Sequence, residues 1–286
     1  MGSSLAQAFI ENGYEVTVWN RSIERSVDFE SIAKVASTVT EACEASEAIV
    51  VCLVNPAACE SALRHPSVET AISGKLLIQL TTSTPSASRD EAKWATRNGA
   101  KYLGGAILAA PNFVGTRLAR AFYAGERDVF SQYLPWLEVL APNSHYCGEV
   151  IGSAATMDHA LLELAYGCRA VLFHCMAICE AGSVSFQDFF AQINIFANGF
   201  VENSTRGITS GIYPSGNATM TTFSSWAEQL VQTADESGVD KTLSEALLSG
   251  ITRTVELGHG DADYQALFQG FIRPSARAES PLPVRD

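Results

Sequence analysis

The sequence lacks most of the features that give a function away at sight. There is no basic run: its 19 Lys and Arg are scattered and outnumbered by 31 Asp and Glu, for a formal charge of −12 and a pI near 4.9. A surface of that sign repels polyanions, so nucleic acid is not expected as a partner. No uninterrupted apolar stretch reaches the ~18 residues that suggest a membrane span. Met1–Leu5 has no basic region leading into an apolar one, so no secretory leader is expected. The Met1-Gly2 start also fails the myristoylation pattern, which wants a hydroxyl residue where Ala6 stands. The seven cysteines (Cys43, Cys52, Cys59, Cys147, Cys168, Cys175, Cys179) show no Cys-x-x-Cys pair and no zinc-site spacing. They read as reduced, buried thiols in a cytoplasmic setting, with no metal expected. There is no internal repeat and no low-complexity segment.

What the sequence does have is apolar content, 47% against 17% charged residues, enough for a substantial core over 286 residues. The first half alternates short β-rich runs with helical stretches. Tyr14–Trp19 is rich in β-branched and aromatic residues. Ala48–Val54 and Lys75–Leu80 are nearly continuous apolar runs, as for strands buried on both faces of a parallel sheet. Helical sequence lies before or between them at Ser3–Asn12, Thr40–Ala45, Ala57–Ala62 and Pro85–Asn98. Such alternation predicts a doubly wound α/β domain. After Gly148 the pattern changes to helices only. A long apolar one is predicted from Val150 to Ala181, against about 11–12 residues for an ordinary helix. Others are expected at Phe186–Phe196, Thr219–Ser237, Thr242–Leu257 and Ala262–Phe271. The expected division is 1–148, 149–272 and a frayed Pro-containing tail, 273–286.

Met1-Gly-Ser-Ser-Leu-Ala-Gln-Ala-Phe9 reads as the first helix of a dinucleotide fold without the strand that normally leads into it, its N-terminus set to face a pyrophosphate. Asn12-Gly13 ends that helix, and the next strand runs into Asn20-Arg21-Ser22. An acidic residue there would bond the ribose hydroxyls of NAD. Asn-Arg-Ser instead offers a cation and two neutral hydrogen-bonding groups to a 2′-phosphate, which favours NADPH. A solvated turn with an exposed Arg is the alternative. Leu80-Thr81-Thr82-Ser83-Thr84-Pro85 follows a buried strand, where such sheets bind ligands, so Thr81 and Thr82 are candidate cofactor contacts and Thr82 a candidate substrate contact. Thr84 is placed to cap the helix that begins at Pro85. Leu53 and Val54, at the end of the preceding strand, are candidates to pack on the cofactor.

Gly2 through Val16-Thr-Val-Trp-Asn-Arg-Ser22 resembles the second half of the Gly-Leu-Gly-x-Met-Gly … Val-Thr-Val-Trp-Asn-Arg-Thr signature of β-hydroxyacid dehydrogenases and imine reductases, within the 6-phosphogluconate dehydrogenase-like superfamily. Gly2 is the last glycine of that fingerprint. Gly104-Gly-Ala-Ile-Leu-Ala-Ala-Pro-Asn-Phe-Val-Gly115 and Gly152-Ser-Ala-Ala-Thr-Met-Asp158-His-Ala-Leu-Leu-Glu-Leu-Ala-Tyr166 are similar to the imine reductase and reductive aminase branch. The resemblance runs to about Ile272. It implies a Rossmann-type domain lacking its first strand, then an all-α dimerisation domain.

The resemblance makes Asp158 the decisive position. The matching segment of hydroxyacid dehydrogenases carries a Lys that handles the alcohol proton, whereas imine reductases carry Asp or Tyr, some with a further Tyr eight residues on. Asp158 and Tyr166 are therefore the implied catalytic residues, about 80° and two turns apart on a helix. The chemistry agrees. Ketone reduction builds negative charge that a Lys stabilises, while an iminium ion is a cation. At ~4 Å and an effective dielectric near 20, a carboxylate favours such a cation by about 4 kcal/mol before desolvation. Resemblance also points Gln229 at the substrate. Thr82-Ser83 departs from the Asn-Gly frequent in imine reductases.

The implied activity is NADPH-dependent reduction of an imine, with a small imine, ketone or amine as substrate. Two alternatives stay open. One is a hydroxyacid or aldehyde dehydrogenase of the same fold. The other is a catalytically inactive homologue, because a sequence starting inside the domain lacks a central strand and two glycines that approach the pyrophosphate. The long apolar helix implies an intertwined homodimer.

Overall fold

The computed structural model describes residues 1–197, 211–214 and 218–272. The expected tail, 273–286, lies outside the described residues. The chain divides into two compact units, Met1–Leu164 and Ala165–Asp286.

The first unit is α/β. Helix α1 (Gly2–Glu11) leads to strand β1 (Thr17–Val18), which pairs in parallel with β2 (Lys34–Val35). Helix α2 (Val39–Glu44) follows, then β3 (Ala48–Val51), α3 (Pro56–Leu63), α4 (Pro66–Ala71), β4 (Leu76–Gln79), α5 (Pro85–Arg97) and β5 (Lys101–Leu108). Strand β6 (Arg120–Gly125), helix α6 (Arg127–Leu140) and strand β7 (Asn143–Tyr146) complete the unit up to α7. The larger sheet has the order β3-β4-β5-β6-β7, all neighbours parallel except β5 and β6.

Strand β4 is the centre of the core. Its side chains alternate between faces, as a strand requires. Leu76, Ile78 and Leu80 join Leu5 of α1 and Leu137 of α6 on one face, while Leu77 meets Val68 of α4 and Ala95 of α5 on the other. Each fully covered Leu or Ile contributes about 1.5–3 kcal/mol. The Gly104-Gly105 pair is explained by this packing. A side chain at Gly105 would come within 2.8 Å of Leu80 Cδ2 and 2.9 Å of the Tyr123 ring.

The Tyr14–Trp19 strand is reduced to two paired residues, because β1 has a ladder partner on one side only. Among the described residues, strand β3 likewise pairs with β4 alone. Residues of both strands line one cavity.

Helix α7 (Ser153–Ala181) begins in the first unit, where Ala154 and Leu161 pack with Ala106, Phe122 and Ala124 of β5 and β6. Gly152 makes that approach possible. Its φ is +102°, and a side chain there would lie 2.9 Å from the Pro85 carbonyl oxygen. In the second unit, α8 (Phe186–Ala197), α9 (Met220–Glu236), α10 (Thr242–Thr254) and α11 (Leu267–Phe271) continue the all-α half. Met220, Ala227, Ile251 and Leu267 form its small core. The expected Thr242–Leu257 helix changes to a π-turn at Val255–His259, where Gly258 takes φ +90°.

One expectation needs correction. Only Cys43 and Cys59 are fully buried; Cys168 is exposed and the other four are half-buried, although all seven thiols are free. Cys168 lies on α7, whose later turns are largely uncovered. Helix α7 also contains an 18-residue window of mean hydropathy 1.4, none of it buried, so by length and composition it could cross a membrane. Charged residues interrupt the run and lower the average without cancelling its apolar character, and a single such helix is weak grounds for a span.

Candidate active site

The carboxyl ends of parallel strands converge with the start of α1. A side chain at Gly2 would sit 3.5 Å from the Cys52 carbonyl oxygen, just past β3. The first turn of α1 carries no acidic residue and its N-cap makes no side-chain bond, which leaves its amides to an anion. Beside it opens a cavity of about 1230 Å³. Gly2, Asn20, Arg21, Ser22, Leu53 and Val54 all line it, so six of the expected cofactor contacts meet at one place. Asn20 Nδ2 donates to the Ser22 carbonyl at 3.0 Å and shapes the turn that carries Arg21. Arg21 is exposed and has no ion-pair partner among the described residues.

Thr81 and Thr82 do not line this cavity. Thr81 is 2% exposed and its hydroxyl is already engaged, accepting from Leu53 N–H at 2.9 Å. Thr82 is exposed. Thr84 caps α5, its Oγ1 accepting from Ala87 N–H, with Pro85 in the first turn.

Asp158 is 4% exposed, and among the described residues it has no hydrogen-bond or ion-pair partner. Burial pushes its carboxyl above the usual carboxylate range, with the adjacent His159 opposing the shift. His159 Nδ1 lies 2.7 Å from the Ala155 carbonyl oxygen and so donates there. Asp158 therefore sits in a dry setting with no ion-pair partner and only the adjacent His159 ring to offset its charge, a state that costs free energy and is common at reactive carboxyls. It does not line the cavity around Arg21. Tyr166 is exposed, as is Gln229 on α9.

Residues 1–148 match the NAD binding domain of 6-phosphogluconate dehydrogenase, and residues 151–273 match the NADPH-dependent reductive aminase-like C-terminal domain. An NADPH-dependent reductive aminase of Aspergillus oryzae is 29% identical over 279 residues, 95% of this chain and 94% of the relative. A Myxococcus stipitatus imine reductase in complex with NADP+ is similar with a TM-score of 0.88 at 29% identity, covering 95% of this chain and 96% of that one. A reductive aminase from Aspergillus terreus, in complex with NADPH and ethyl levulinate, gives 0.84 at 30% identity, again over 95% and 96%. The chain belongs to the imine reductase and reductive aminase family.

As a member of that family it shows two further features at the site. Arg25, in the turn Ile23–Arg25 after β1, lines the same cavity as Arg21. Its four-residue spacing from Arg21 was the available signal. The second is a buried polar chain through Gln79 and Glu91, signalled by one Gln inside the apolar run Leu76–Leu80. A buried amide must find partners, so its presence in a central strand announces a network.

Proposed function

We propose that the chain is an NADPH-dependent oxidoreductase that reduces the C=N bond of an imine or iminium, formed in some cases from a ketone and an amine. The observation that carries this reading is Asp158: a buried carboxyl with no hydrogen-bond or ion-pair partner among the described residues, on the helix that resembles the family's catalytic segment. A Lys at that position would serve an alkoxide; an uncompensated Asp serves a cation.

The cavity residues fit the cofactor. Gly2 allows close approach to the α1 amides, and Arg21 with Arg25 supplies charge for a 2′-phosphate. Leu53 and Val54 offer it an apolar wall. When bound, NADPH supplies the hydride. Asp158, holding its proton to a higher pH than an exposed carboxyl, passes that proton to the imine nitrogen and remains as a carboxylate paired with the iminium. The attraction within that pair is stronger in this dry setting than in water and offsets the cost of holding both charges away from solvent. Tyr166 is the second polar anchor and Gln229 and Thr82 are substrate contacts in this reading. Thr81 acts from behind the site.

We also infer a homodimer in the cytoplasm. Tyr166, Val171, Phe173, Phe186, Phe190 and Trp226 are large, exposed and on helices of one unit, more apolar surface than a monomer keeps in water. The free thiols support a reducing compartment.

The test follows NADPH oxidation with cyclic imines and with ketone–amine mixtures, and NADP+ reduction with short hydroxyacids. Turnover of imines alone supports the proposal. Oxidation of hydroxyacids without imine reduction assigns the dehydrogenase branch, and no NADPH binding assigns an inactive homologue.

A further inference from the structure

A chain of hydrogen bonds runs from the inside of the sheet to the wall of the cofactor cavity. The Leu53 N–H donates to Thr81 Oγ1 at 2.9 Å, and the Cys59 thiol donates to the same oxygen at 3.3 Å. The Thr81 N–H donates to Gln79 Oε1 at 2.8 Å. Gln79 Nε2 donates onward to Glu91 Oε1 on α5 at 2.5 Å. Gln79 and Thr81 are each 2% exposed. Tyr102 reaches the same carboxyl and also approaches Ser88 Oγ at 3.5 Å.

The direction of the links from Leu53 to Glu91 is forced. A backbone N–H can only donate, so Thr81 Oγ1 accepts from Leu53 and Gln79 Oε1 accepts from Thr81. That fixes the amide with its nitrogen toward Glu91, which must accept. The chain thus ties the ends of β3 and β4 to α5. Leu53 is its outer end, and with Val54 it lines the cavity.

We propose that Gln79 and Glu91 are positioning residues for the cofactor, holding through Thr81 the Leu53 amide and so the Leu53–Val54 wall. This rests on the reading that NADPH occupies the cavity. Neither side chain touches the cavity, so each acts only through the relay.

The experiment compares Gln79→Met, which keeps length but loses both amide groups, with Glu91→Gln, which keeps an acceptor for Gln79 Nε2. Gln79→Met is expected to raise the NADPH Kd and KM about five- to tenfold, in the range of a lost buried hydrogen bond, with kcat within about twofold. Glu91→Gln is expected to stay within about twofold of wild type in all three. Without cofactor, amide exchange at Leu53 is expected to speed up in Gln79→Met and not in Glu91→Gln. Where Gln79→Met fails to fold, Thr81→Val breaks the next link of the relay, the one from the Leu53 N–H, and Thr81→Ser restores it. Wild-type KM and wild-type Leu53 exchange in Gln79→Met, or in Thr81→Val, overturn the proposal. So does a fall in kcat with KM unchanged. A wild-type chain that binds no NADPH overturns the functional reading and the cofactor role with it, while the exchange measurement still tests the hold on Leu53.

Discussion

Strand β4 and helix α7 are written in similarly apolar sequence and have opposite surroundings. Leu76, Leu77 and Ile78 are 1%, 0% and 0% exposed, covered on both faces by helices of the same chain. The most apolar 18-residue window of α7 has none of its residues buried, and Phe173 is 63% exposed. Hydrophobicity states that a surface needs cover; it does not state who supplies it. For β4 the cover comes from helices of the same unit, α1 and α6 on one face and α4 and α5 on the other. For the later turns of α7 it has to come from elsewhere, which is the physical ground for a second copy. Only the first turns of α7 resemble β4, and there Asp158 is buried with no hydrogen-bond or ion-pair partner among the described residues.

The sharpest way to probe that junction is Asp158→Ala. Imine turnover is expected to fall by about 10²–10⁴-fold, the range for a lost acid–base group, with NADPH affinity unchanged by fluorescence titration. Retained imine turnover would leave Asp158 a merely tolerated buried carboxyl.

Matched substitutions break the comparison itself. Leu77→Ala is expected to cost about 2–5 kcal/mol in denaturant unfolding, because nothing can move in to fill the space. Phe173→Glu is expected to leave monomer unfolding nearly unchanged and instead to shift light scattering from dimer to monomer. A wild-type chain that is monomeric at micromolar concentration removes the dimer, and binding to neutral lipid vesicles would identify a membrane as the cover.

Arg21→Ala sharpens the cofactor side. The KM for NADPH is expected to rise about tenfold or more through loss of charge-assisted hydrogen bonds, while that for NADH barely moves. Equal losses with both cofactors would mean that Arg21 supports the turn and not the phosphate.

The smallest effect is a pH dependence. Burial raises the folded-state pKa of Asp158, so the folded protein binds the proton more tightly than the unfolded chain. Its contribution to stability therefore declines as pH rises from about 3.9, the unfolded value, through the raised folded value. Asp158→Asn escapes that decline. It is expected to melt with wild type at low pH and above it at neutral pH; an unchanged or lowered Tm at neutral pH would contradict the buried, unpaired carboxyl.

By itself the sequence determined the alternating α/β half, the helical half, the strands at Ala48 and Leu76, the long helix, and six cavity residues from Gly2 to Val54. These are carried by local pattern: apolar periodicity, Thr84-Pro85 as a helix start, and a cation in the turn after a strand. It did not disclose α6, where Pro135 sits inside the helix and reads as a breaker. Nor did it separate Thr81 from Thr82, whose neighbouring hydroxyls differ only in which way the backbone turns them. Tertiary structure alone decided that Thr81 faces inward onto Leu53, that Gln79 finds Glu91 twelve residues away, and that Asp158 is dry while Tyr166 is wet. Each of those depends on what lies across a sheet or against a helix face, and long-range packing leaves no period in the sequence for a local reading to detect.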